Sequence, residues 1–106
     1  MPLLSIKWIE AARDYVLLHT DTLSYLMRST MEGIENQVKA KGFIRVSRSA
    51  FVQHALVQGL YKQGSYSTVV ALDDGTIVRV GVKYVNRVTE RLNGSPKVET
   101  GSGAGG

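Results

Sequence analysis

Asp73-Asp74-Gly75 is where this sequence leaves the backbone least choice. It separates two runs of β-branched and aliphatic residues, Ser67–Leu72 and Thr76–Val80. Glycine supplies the positive φ that tight hairpin turns demand, and aspartates stabilise such turns through their own backbone. The segment therefore predicts an antiparallel hairpin, and a chain containing it must build a sheet around it. The same reading makes the two aspartates turn residues before it makes them a metal-binding or acid–base pair.

Other segments extend the sheet. Ile6–Glu10 reads as a short strand, Ala11–Asp14 as a loop, and Tyr15–Thr20 as a buried strand. Asp21-Thr22 is a turn, and Leu23–Arg28 returns as the second arm of a hairpin. Phe43–Val46 and Ala50–Val52 are short apolar runs around the polar Ser47-Arg48-Ser49, and Ala55–Tyr61 leads into a turn at Gln63-Gly64.

Only two stretches have helical spacing. Met31, Ile34 and Val38 share a face, which predicts a helix near 30–40. Ser29 is the expected cap, with Glu32 closing a capping box and Gly42 ending the helix. Val85, Val88 and Leu92 predict a short helix over about 84–92, with Arg87 and Arg91 on another face. The expected fold is mainly β: one domain over residues 1–95, then a flexible Gly/Ser-rich tail over 96–106.

Charge is the next constraint. The net charge of +4 is unevenly spread: residues 1–38 carry three bases and five acids, residues 39–97 ten bases and three acids. That asymmetry suits a polyanion partner, and equally a solvated basic face. Lys39 and Lys41 have a local explanation at the negative end of the first helix. With no cysteine and two separated histidines, His19 and His54, no metal site is expected. Nucleotide-binding glycine motifs and the Gly-x-Ser-x-Gly elbow are missing, so neither cofactor, small-molecule substrate nor enzyme activity is expected. No apolar run approaches the ~18–20 residues of a membrane span, and a cytoplasmic setting is expected.

Three blocks then occur in a distinctive order. They are Ile6–Ala11 followed by Tyr15-Val16, the helix followed by Phe43–Ser49, and the Leu72–Gly75 hairpin followed by Val80–Tyr84. Together, over roughly residues 6–92, they resemble the LytTR family, the DNA-binding output domain of many bacterial response regulators. The resemblance implies an elongated fold of short antiparallel sheets. It also implies sequence-specific binding of double-stranded DNA in transcription regulation, by loops set into the major groove and at repeated sites where two copies can meet as a homodimer. By that resemblance the DNA-facing residues are Arg13 and Asp14 in the first loop, Ser47 and Arg48 after the helix, and Lys83 with Tyr84 after the last strand. Ser47 stands where many members have histidine, and Lys83 where some have arginine. Arg48 offers a planar fork for guanine or phosphate, and Lys83 a point charge. Arg45 is read as support for the sheet. The rival readings are a protein-interaction module on the same fold and a single-strand binder that stacks bases on tyrosines.

Overall fold

The computed structural model describes residues 5–64, 67–92, 97 and 98. The expected hairpin forms: β7 (Ser67–Leu72) and β8 (Ile77–Val80) are antiparallel neighbours, with Gly75 at φ 91° between them. The Asp74 carboxylate accepts the Thr76 N–H at 2.9 Å, which fixes the turn. Its other oxygen meets the Lys7 ammonium, which also binds Asp21. Hydrogen bonds to Lys7 and Thr76 hold the Asp74 carboxyl far below its usual range. The Asp74 carboxylate is a turn and tether group.

Among the described residues, nine strands make two sheets. The first has the order β3-β2-β1-β5-β4, from β1 (Trp8–Ala12), β2 (Tyr15–His19), β3 (Ser24–Arg28), β4 (Phe43–Ser47) and β5 (Ala50–Gln53). The second has the order β8-β7-β6-β9, with β6 (Val57–Gln63) and the two-residue β9 (Lys97–Val98), which runs parallel to β6. The tail expected over 96–106 falls outside the described residues except for Lys97 and Val98. Helix α1 (Met31–Ala40) precedes β4, and α2 (Val85–Leu92) follows β8. The molecule measures 44 × 28 × 23 Å, the elongated shape that was expected. No helix among the described residues is long and apolar enough to cross a membrane.

The first sheet is the middle layer because β4 and β5 are apolar on both faces. Phe43 and Phe51 join Ile9, Val16, Met31, Ile34 and Val38 in a core under α1. Their neighbours Ile44, Val46, Ala50 and Val52 point the other way, into a second core with Leu60, Val70, Leu72, Val80 and Val88. Alternation along a strand produces this division directly. The consecutive apolar residues of both strands follow from their having a cover on each side.

Two local expectations need correction. The first strand does not stop at Glu10. Ala11 and Ala12 pair with Val16 and Tyr15, and the Ala11 N–H donates to Ser49 O at 2.9 Å, so neighbours on both sides hold two residues of weak strand propensity. The loop shrinks to Arg13-Asp14. The helix cap is Thr30 and not Ser29: the Thr30 hydroxyl accepts the Gly33 N–H at 2.9 Å. Glycine now occupies the third helical position, so the capping box cannot close, and Glu32 is available to bond elsewhere.

Candidate nucleic-acid interface

The antiparallel ladder decides which turns are neighbours. β1 pairs with β5 through Glu10 and Ala50, so the β1–β2 turn (Arg13-Asp14) and the β4–β5 turn (Arg48-Ser49) lie at the same end of the sheet. The chain after β8 arrives beside them. The Gly81 N–H donates to Val46 O at 2.7 Å, and the next residues, Val82–Tyr84, form one 3-10 turn. A Cβ on Gly81 would stand 3.2 Å from Tyr84 Cδ1 and 3.4 Å from Ser47 Cβ, so a side chain there would press on the Tyr84 ring.

Two grooves result. One is lined by Ser47, Arg48, Ser49, Gly81–Tyr84 and Arg87. The other is lined by Arg13, Tyr15, the start of α1, Arg48 and Ser49. Arg48 and Ser49 belong to both, so the two grooves meet at the β4–β5 turn. Arg13, Arg48, Lys83 and Arg87 are all exposed, and none has an ion-pair partner among the described residues. Four guanidinium or ammonium groups at one end, against the Glu32 carboxylate that lines the second groove, form a net basic surface suited to a polyanion.

The positions expected from sequence are mostly brought together. Arg13, Ser47, Arg48, Lys83 and Tyr84 line the grooves. Asp14 shares Arg13's turn but lines neither groove, and its carbonyl accepts the Ser29 N–H at 3.2 Å, tying the turn to the start of α1. The Ser47 hydroxyl accepts the Ser49 N–H at 3.2 Å, which shapes the Arg48 turn. The Tyr84 ring packs against the second core with Arg87 5.4 Å from its centroid, so it serves as a floor for a cation. Arg87, which the sequence left between a DNA-backbone contact and a solubilising helix residue, stands in this groove. The signal for it was present in the sequence, because Lys83 and Arg87 are four residues apart across a 3-10 turn and a helix.

Arg45 builds the site from beneath. Its side chain is only 9% exposed and reaches both ways. The guanidinium donates to Ser47 O (3.1 Å) and Arg48 O (2.8 Å), and pairs with Glu32 and Glu35 of α1 at 3.2 Å each. It also lies over the Phe51 ring, 5.4 Å from the centroid. The Glu32 carboxyl is held below its ordinary pKa, first by a backbone hydrogen bond and then by Arg45. The register of β4 and β5 shifts between Arg45 and Ser47, a bulge that re-aims the end of the strand. The expectation that Arg45 supports the sheet is sharpened: it clamps the turn that carries Arg48 to the helix.

Arg13 has a backbone peculiarity. Its φ is 61°, the only positive φ of a non-glycine residue among those described. A side chain costs roughly 1 kcal/mol in that region, where glycine costs nothing. Arg13→Gly is therefore expected to leave the melting temperature unchanged or raise it, by up to about 1 kcal/mol in stability. The same variant should weaken binding to duplex DNA and reduce its salt dependence by about one phosphate contact. A destabilised variant would show that the side chain holds the turn, and unchanged binding would remove Arg13 from the interface.

Comparison with known proteins agrees with the fold. The profile of the LytTr DNA-binding domain family matches residues 1–93. Among solved structures, the fold is similar to the LytTr DNA-binding domain of a putative methyl-accepting/DNA response regulator from Bacillus cereus. The TM-score is 0.77 at 20% identity, covering 87% of this chain and 84% of that one. Comparison with curated proteins gives no match.

Proposed function

Because the chain belongs to the LytTr family of DNA-binding domains, we propose that it binds duplex DNA in a sequence-specific manner and acts in bacterial transcription regulation. In this reading the turns at Arg13, Arg48 and Lys83 enter the major groove. The observation that carries it is the meeting of two basic grooves at Arg48, on the β4–β5 turn. Lys and Arg neutralise phosphates and set the register, while Arg48 and Lys83 present donors to base edges. Ser47 supplies a hydroxyl at the groove wall. Asp14 stands beside the phosphate contacts, where an anion can only accept from a base amino group. A pair of repeated sites, occupied by two copies, follows from the same reading.

The test is selection from random duplexes, followed by titration of the enriched site over a salt series. One motif should be enriched. If Arg13 and Arg87 each neutralise one phosphate, and Arg48 and Lys83 up to one more each beside their base contacts, log K should fall against log salt with a slope of about −2 to −4. No enrichment, with binding that ignores salt, would instead favour the protein-interaction reading. One observation supports that rival: the edge strand β3 leaves Leu26 61% and Tyr25 43% exposed beside unpaired backbone groups.

A further inference from the structure

Val82 is out of place by ordinary burial rules. It is 84% exposed, the most exposed of the large hydrophobic residues described, and it lines the groove that holds Arg48, Lys83 and Arg87. Nor is it on a loose segment. The Gly81 N–H bonds to Val46 O at 2.7 Å and the Tyr84 N–H to Gly81 O at 2.8 Å, so Val82 sits in a closed turn fastened to β4. Its β-branched side chain is stiff at χ1, so little rotamer freedom is lost when it makes a contact. The charged phosphate oxygens offer nothing to such a group. Within the major groove the apolar feature is the 5-methyl group of thymine.

We infer that Val82 reads one thymine by contact with its 5-methyl group, next to the cations that position the duplex. The inference rests on the DNA-binding reading above and adds a base preference to it. Contact between the valine and a methyl group removes about one methylene's worth of apolar surface from water, which corresponds to about fourfold in affinity. Lys83 then supplies the neighbouring polar contact, so that one turn of backbone presents both an apolar and a charged reader.

The test uses the enriched duplex, with each thymine replaced in turn by uracil, which deletes only the methyl group. At one position the wild-type chain should lose about fourfold in affinity. Val82→Ala should bind the thymine duplex about fourfold more weakly, and should no longer distinguish thymine from uracil at that position. Val82→Thr, which keeps one methyl group, should fall between the two. Since Val82 has little buried surface, all three chains should melt at the same temperature. If no thymine is sensitive, or the sensitivity is unchanged in Val82→Ala, the assignment fails while DNA binding stands. If no duplex is enriched at all, the underlying reading fails and takes this assignment with it.

Discussion

Arg45→Ala is expected to destabilise the domain by about 2–3 kcal/mol, more than any other single charged substitution considered. The reason is the number of partners left behind. Removing the guanidinium deprives two carbonyls, those of Ser47 and Arg48, of their donor and releases Glu32 and Glu35. The Glu32 pair contributes little, since that carboxylate is exposed. The half-buried Glu35 and the two carbonyl bonds carry most of the effect. Arg45→Lys should recover less than half, because one ammonium cannot reproduce a fork that reaches four acceptors. Both carboxyls have pKa values lowered in the fold: Glu35 first by its hydrogen bond to Lys39, then by desolvation working the other way and by the Lys39 and Arg45 charges. Their contribution is thus fully present above the ordinary carboxylate pKa and is lost as pH falls through the lowered values. The stability gap between wild type and Arg45→Ala should accordingly narrow in acid. Denaturant melts across pH measure this; a gap below about 0.5 kcal/mol at neutral pH would show that the clamp is ornamental.

Arg48→Ala should have the opposite profile, with stability unchanged within about 0.5 kcal/mol and binding strongly affected. Its side chain is exposed and makes no ion pair among the described residues, while both basic grooves pass it. On the enriched duplex the loss should be about 1–3 kcal/mol, with relaxed preference at one base position. Arg48→Lys separates charge from geometry: it should keep the salt slope and lose the base preference, because a point charge does not make a bidentate pair. Competition titrations against single-base variants measure both. An equal loss on every sequence would assign Arg48 to a phosphate, and no loss would remove it from the interface.

What could be read without the fold was local. The Asp73-Asp74-Gly75 turn, the buried face of Met31, Ile34 and Val38, and the short helix ending at Leu92 each depend on residues within one or two turns of chain. The errors were also local in form but had non-local causes. Ala11 and Ala12 became strand because β2 pairs with both and Ser49 O accepts the Ala11 N–H. Thr30 took the cap that Ser29 could equally have supplied, since adjacent hydroxyl residues offer the same chemistry. Arg45 read as a support for the sheet, but nothing in its neighbours announced four partners.

The candidate interface shows the same limit. Arg13, Arg48 and Lys83 are separated by 35 residues from one to the next, and no spacing rule connects them. The family resemblance named them, but it could not say that they share an edge, or that Arg87 stands with them. The sequence by itself determined the elements and their order, because turn chemistry and hydrophobic periodicity act over a few residues. The tertiary structure alone decided that three distant turns face one way, that β4 and β5 are covered on both sides, and that Val82 is left bare among cations. Those outcomes depend on which strands pair and in what register, and that choice is made by burial of β4 and β5 between two cores.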